Sequence, residues 1–174
     1  MSAPSLPESE RLTFRRMNHG DFPAIHEMLS DPEVMYAWEK AFTPEETRGW
    51  IDRQLRRYET DGVAYFLALD KSGEAVGQIG LMRTDLGSER VLEVGYILPR
   101  RSWRQGYARE GAAAMLDFAR AALGAEVVHA TIRPENKRSI AVAAAIGMTK
   151  TGEITKMYEG KAMLHLIYSR SLRL

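Results

Sequence analysis

The sequence predicts one mixed α/β domain over residues 10–174, with a central, mostly antiparallel sheet and helices on both faces. Three observations carry that expectation. Stretches of two-residue alternation are interleaved with helical periodicity in the order β-α-α-β-β-β-α-β-α-β-β. Three consecutive strand signals are separated only by the hairpin-length turns "KSGE" and "DLGSE", which makes a meander. The last of these strands then runs directly into a long helix at residues 98–105, the kind of junction where α/β sheets bind ligands.

The elements follow in order. "MSAPSLPESE" lacks a charged region followed by an apolar one, so it is no secretory signal, and residues 1–9 are expected to form a flexible lead. "RLTFRRM" alternates, with Leu12 and Phe14 on one face of a first strand. "DFPAIHEML" is a helix with Asp21 as its expected cap and Pro23 in its first turn, and Pro32 marks its end. A second helix starts at Thr43, Pro44 and Glu46, the pattern of a capping box, and carries Trp50, Ile51, Leu55 and Tyr58 at helical spacing. The strands "VAYFLALD", "EAVGQIGLMRT" and "RVLEVGYIL" come next. A long helix over residues 105–123 stops at Gly124. "VVHATI" is a strand, "NKRSIAVAAAI" a short helix closed by Gly147, and "KTGEI" and "AMLHLIYSR" the last two strands.

Composition narrows the function. A chain of 174 residues, 45% hydrophobic and 27% charged, is long enough to bury one core. A net charge of +1 argues for neither a nucleic-acid nor a membrane partner, and no apolar run approaches the roughly 18 residues that span a bilayer. The cytoplasm is the expected compartment. Without cysteine there is no disulfide, thiolate metal site or thiol nucleophile. His19, His26, His129 and His165 lack metal-ligand spacing, so no metal is expected.

The stretch "LPRRSWRQGYAREG" raises a question of charge. Arg100, Arg101, Arg104 and Arg109 crowd a helix N-terminus, where the dipole is already positive. A polyanion at the free N–H groups of that helix start would neutralise them, and Gly106 and Ala108 would let it approach the backbone. Arg133, Lys137 and Arg138 form a second basic group at the start of the other short helix. The bland alternative is a set of arginines solvating a loop. The dinucleotide and P-loop glycine patterns are both missing, which argues against a nucleotide hydrolase or a Rossmann enzyme.

"EVGYILPRRSWRQGYAREGAAAMLDFARAAL" followed by "RPENKRSIAVAAAIGM" resembles the GNAT acetyltransferase superfamily, and within it the ribosomal-protein-alanine N-acetyltransferase branch. "ERLTFRRM", "LSDPEVM" and "TPEETRGWIDR" extend the resemblance over nearly the whole chain. It implies the GNAT fold and acetyl-CoA as cosubstrate. Arg104, Gln105, Gly106, Ala108 and Arg109 are the implied pyrophosphate contacts, and Ile97 and Leu98 the implied backbone partners of the pantetheine arm. Asn136 and Ser139 match the branch's P-E-N-x-x-S pattern, Asn136 being expected to cap its helix and hold the pantetheine. Two departures stand out. Ala143 occupies the position where many members carry a tyrosine acid, and Met148 follows Gly147 where phenylalanine is usual, as a core replacement.

Acetyl transfer to an amine needs a proton acceptor, oxyanion stabilisation and a proton for the leaving thiolate. Glu93, on an apolar strand and on the same face as Gly95 and Ile97, is the expected base; the alternative is a salt-bridged glutamate. Ser139 is the expected acid; the alternative is a first-turn serine bonded to backbone. A backbone N–H near Leu98 is the expected oxyanion donor. Tyr36, Trp38 and Trp50 are candidates to line the acceptor pocket, with core packing an equal reading for Trp50, and Glu39 is a candidate to meet the amine. The expected function is direct acetyl transfer to a primary amine, first a protein or peptide N-terminal α-amine. The rivals are a small amine (an antibiotic, polyamine or amino acid) and a non-catalytic acyl-CoA-binding module. Monomer and homodimer both stay open.

Overall fold

In the computed structural model, which describes residues 3–174, the chain runs β1 (Thr13–Arg15), α1 (Phe22–Leu29), α2 (Pro44–Thr60), β2 (Tyr65–Leu69), β3 (Ala75–Leu86), β4 (Glu89–Ile97), α3 (Tyr107–Leu123), β5 (Val127–Ile132), α4 (Lys137–Ala145), β6 (Thr149–Tyr158) and β7 (Lys161–Ser171). This is the predicted order. One sheet holds all seven strands in the order β1-β2-β3-β4-β5-β7-β6. Every neighbouring pair is antiparallel except β4 and β5, which are parallel because α3 crosses between them.

Alternation along β3 assigns the two faces of the sheet. Ile79 points to α3, whose Ala112, Met115, Leu116 and Ala119 are fully buried. Gln78 points the other way, where it accepts from the Trp50 indole of α2 at 2.9 Å and lies against Met28 of α1. Through the antiparallel register, Tyr96 shares the Ile79 face, while Glu93, Gly95 and Ile97 share the Gln78 face. Burying each large apolar side chain of this core stabilises the fold by about 1.5–3 kcal/mol.

The helix starts follow local chemistry, with two differences from expectation. At α2 the capping box forms as predicted: the Thr43 hydroxyl accepts the Glu46 N–H at 3.2 Å, and the Glu46 carboxylate accepts the Thr43 N–H at 2.8 Å. Asp21 does not cap α1. Its carboxylate accepts the Asn18 N–H at 2.8 Å and two bonds from the Arg15 guanidinium at 2.8 Å, because a short 3-10 turn (His19–Asp21) precedes the helix. α3 starts at Tyr107 rather than at Gln105, since Arg104 and Gly106 are left-handed. Of the expected lead, residues 1–2 lie outside the described residues. Its far end is tied down rather than free: Glu8 bridges Thr13, and the Ser9 hydroxyl donates to Glu110 at 2.7 Å.

Candidate active site

β4 and β5 are paired at a single position, Glu93 opposite His129, and part beyond it. A cavity of about 1060 Å³ fills the split. Its walls are residues 93–98, residues 130–133, the start of α3 and the inner side of α4. Backbone groups of a central strand are costly to leave dry and unpaired. The cavity gives this length of β4 access to water or to an extended ligand. Because the split passes between two strands, it also joins the two faces of the sheet at one point.

The mouth of the cavity is the first turn of α3. No side chain caps it, and the first helical bond there is Glu110 N–H to Gly106 C=O at 3.0 Å. The N–H groups of Tyr107, Ala108 and Arg109, three residues that line the cavity, therefore have no intrahelical partner. Left-handed backbone at Arg104 (φ 60°) and Gly106 (φ 79°) bends the chain into this turn. A non-glycine residue pays about 1–2 kcal/mol for that conformation, so Arg104 is strained at the place where an anion would sit.

The arginine cluster divides into two kinds. Arg100 pairs with Asp31 at 2.6 Å and Glu33 at 3.3 Å, and Arg101 with Glu27 and Glu74, both at 2.9 Å. The protein itself neutralises these two, which corrects the expectation that a ligand explains all four. Arg104 and Arg109 make no ion pair among the described residues and line the cavity. In the second basic group, Arg133 is held by Glu39 at 3.8 Å, by Glu135 at 3.4 Å and by the Ala37 carbonyl at 3.0 Å. Arg138 instead stacks over the Trp103 ring at 3.9 Å and stays in the cavity wall.

Glu93 lies at the apex of the split and is 6% exposed. Thr84 donates to one carboxylate oxygen, Thr131 donates to the other at 2.7 Å, and the Lys156 ammonium stands 4.0 Å away. Lys156 also donates to the Thr131 hydroxyl at 2.6 Å. The buried charge is thus paired and hydrogen-bonded, and β4, β3, β5 and β6 each supply one member of the group. His165 of β7 lines the same end; burial, outweighing the Met163 carbonyl at its Nδ1, holds its imidazole below the ordinary histidine range.

Ser139 reaches the split from the other face. The Asn136 side chain accepts the Ser139 N–H at 3.2 Å, the expected cap, and also accepts from the Tyr36 hydroxyl at 2.9 Å. The Ser139 hydroxyl donates to the Tyr96 phenol at 3.1 Å, and that phenol donates to the Ser139 carbonyl at 2.8 Å. Burial pushes the Tyr96 phenol up to about 12 against the effect of the Ser139 bond, so it stays protonated at neutral pH.

The comparisons with known proteins decide the family. Residues 11–149 match the family model of the acetyltransferase (GNAT) domain. The chain belongs to the GNAT acetyltransferases. YkkB of Bacillus subtilis is 34% identical over 158 residues, which is 90% of this chain and 92% of that one. A GNAT-family acetyltransferase from Bacillus anthracis has a solved structure with a TM-score of 0.81 at 27% identity, covering 95% of this chain and 97% of its own. Two further structures share the fold alone. Spermidine N-acetyltransferase from Vibrio cholerae, in complex with CoA and spermine, has a TM-score of 0.74 at 17% identity over 92% of this chain and 95% of its own. RimL, in complex with CoA, has a TM-score of 0.77 at 18% identity over 95% and 97%.

In this GNAT acetyltransferase the split brings together nine of the residues expected at the site, but not Gln105, Trp50 or Glu39. Glu93, Ile97, Leu98, Arg104, Gly106, Ala108, Arg109, Asn136 and Ser139 all line the cavity. Gln105 sits just outside, its side chain donating to the Arg101 carbonyl at 2.7 Å. The Leu98 carbonyl already accepts from the Trp103 indole at 3.0 Å. Tyr36 and Trp38 line the cavity, whereas Trp50 packs on Phe42 and Tyr65. Glu39 is engaged by Lys161 and Arg133 rather than open to an amine. Among the described residues no group of three or more His, Asp or Glu side chains could hold a metal ion, and no described helix is long and apolar enough to cross a membrane. Residue order alone missed Thr84, Tyr96, Thr131 and Lys156. Alternation could have found Tyr96, which stands one residue from Gly95 on the opposite face, and the β3–β4 hairpin register could have found Thr84; Thr131 and Lys156 come from strands distant in sequence.

Proposed function

We propose that the split sheet binds acetyl-CoA and that Glu93 and Ser139 act from its two sides on transfer of the acetyl group to an N-terminal α-amine. The observation that carries this reading is the parting of β4 and β5 beyond Glu93, with an uncapped helix start at one end of the gap and a carboxylate at the other. These residues fit the cosubstrate. The open N–H groups of Tyr107, Ala108 and Arg109, with the unpaired Arg104 and Arg109 guanidiniums, suit a pyrophosphate. The free edge of β4 through Ile97 suits an extended amide arm, in the manner of an added strand. Bound there, acetyl-CoA supplies an activated acyl thioester. CoA in the complexes of the spermidine enzyme and of RimL, which share this fold, supports the assignment.

Glu93 takes the amine proton, directly or through a water, and Ser139 gives its hydroxyl proton to the departing sulfur. Tyr96 accepts from the Ser139 hydroxyl at rest and orients it, and the serine recovers its proton from solvent as the thiol leaves. Glu93 is already hydrogen-bonded by two threonines and faced by Lys156, so the acceptor that asks least of it is one that arrives partly neutral. An α-amine, of pKa about 7.7–8.0, meets that condition better than lysine at about 10.4. The cavity wall also speaks against a polyamine. Apart from Arg100 and Arg133, which carboxylates already hold, it carries Arg104, Arg109, Arg138 and Lys156, but only Glu33 and Glu93 as carboxylates.

One observation favours the second reading, a small amine. Ion pairs Glu39–Lys161 and Lys40–Glu159 join the 36–42 loop to the β6–β7 turn beside the acceptor end, and narrow the way in for a folded protein's terminus. Thiol release decides, using an N-terminal alanine or serine peptide, the same peptide blocked at its N-terminus with an internal lysine, and a panel of small amines. Faster turnover of the free α-amine, with mass spectrometry placing the acetyl group there, is expected. Equal rates on both peptides, or acetylation of lysine alone, refute that choice; rapid turnover of a small amine with neither peptide touched replaces it with the second reading.

A further inference from the structure

Tyr65, at the start of β2, stands out among the buried polar side chains. It is 7% exposed and lines the cavity on the Glu93 face. Its hydroxyl has no hydrogen-bond partner among the described residues and opens onto the cavity. Facing the cavity rather than a protein group, this oxygen is available to a ligand there. Its position is set by close packing. The oxygen lies 2.3 Å from where a Cβ on Gly95 would stand, so the absence of a side chain at Gly95 is what admits the phenol to β4. Gly95 is two residues from Glu93 on the same face, and two from Ile97.

The surroundings hold Tyr65 rigidly. The Tyr58 hydroxyl donates to its carbonyl, the Gln54 side chain accepts its N–H at 3.2 Å, and its ring packs on Trp50 at 5.3 Å between centroids. Two buried side chains thus serve the backbone of one residue whose own hydroxyl has no partner in the protein. Burial, and secondly the nearby Glu93 charge, hold the phenol well above the ordinary tyrosine range, so it keeps its proton at neutral pH. As a neutral hydroxyl it can accept one hydrogen bond and donate another.

We infer that the Tyr65 hydroxyl is a contact for the acceptor amine, accepting one of its N–H groups and fixing the nitrogen between Gly95 and Glu93. The inference rests on the reading of the split as an acetyl-transfer site. No proton is gained or lost by the phenol: the amine proton goes to Glu93, and Tyr65 orients the nitrogen for attack.

Tyr65→Phe tests this, since it keeps the ring on Gly95 and Trp50 and removes only the oxygen. In steady-state thiol release, kcat/KM for the amine should fall at least tenfold with KM for acetyl-CoA unchanged. Acetyl-CoA affinity by calorimetry and the melting temperature should match the parent protein. An unchanged kcat/KM for the amine in the variant, with an active parent, overturns this inference alone. Loss of acetyl-CoA affinity by the same factor overturns it as well, by making the hydroxyl a cosubstrate contact. A parent protein that releases thiol with no amine at all overturns the acceptor reading and this inference with it.

Discussion

At the scale of single residues, the two proposed proton handlers have different signatures. Ser139 is positioned three ways: by the Asn136 cap, by the Tyr96 phenol and by the carbonyl bond that phenol makes back. A donor to the leaving thiolate acts in the transition state. Ser139→Ala should therefore lower kcat and kcat/KM together by about 100-fold. A rise in KM alone would make the serine a binding group. Glu93→Gln should lower kcat/KM for the amine by about 100-fold with acetyl-CoA affinity unchanged. A variant as active as the parent would mean that another group takes the amine proton. Lys156 and the two threonines have a structural reason to be there: a carboxylate at this depth is tolerable only when paired and hydrogen-bonded.

At the scale of elements, the start of α3 matters most. Gly106 was expected to serve close approach of a ligand. Its φ of 79° and the Arg11 guanidinium, 3.2 Å from a Cβ placed there, show that the backbone and a neighbour also require it. A valine at that position would strain the turn before it touched any ligand, so the arginines make a cleaner test. Arg109→Ala should weaken acetyl-CoA binding about tenfold, the loss of one charge-assisted contact of roughly 1.4 kcal/mol. Arg101 spends its charge on Glu27 and Glu74, and Arg101→Ala should leave the dissociation constant within about twofold while costing up to about 1 kcal/mol of stability. Calorimetry and thermal melts on the two variants separate these outcomes; equal losses of affinity would show that the division of the cluster is wrong. Glu110, just inside the helix, is held ionised despite burial by Ser9 and Arg11, so the N-terminal segment is clamped to the same turn.

At the scale of the whole molecule, the cost of assembling the site should appear in its pH dependence. His165 lies half-buried among Lys156, Arg133 and Glu93, and desolvation lowers its pKa in the folded state. The unfolded chain, with a histidine pKa of about 6.5, then binds more protons than the folded one at slightly acid pH. Stability from this group is complete above about pH 6.5 and is lost as pH falls from there toward the lowered folded value. Melting temperature should drop between about pH 7 and pH 5, and His165→Gln should flatten that drop. A variant as steep as the parent would place the dependence elsewhere, on groups such as the Asp21–Arg15 pair. That carboxylate is held below its usual range by the Arg15 bond and releases its contribution only at lower pH.

What the sequence determined by itself is what local physics determines. The Thr43–Glu46 box, the meander turns, the stop at Gly124 and the alternation of β4 depend on residues a few positions apart. The order of elements, the two basic helix starts and the candidacy of Glu93 were therefore legible, while that of Ser139 came with the family resemblance. The tertiary structure decided what depends on distant partners. Whether an arginine is spent on a carboxylate or left for a ligand depended on Asp31, Glu27 and Glu74, none of them near it in the chain. Whether Glu39 was open to an amine depended on Lys161. Tyr65 could not be placed at the site from its own strand, because its role depends on Gly95, thirty residues on, having no side chain. The split itself depends on how two strands, paired at Glu93 and His129 more than thirty residues apart in the chain, diverge from there, which lies between the strands rather than within either one.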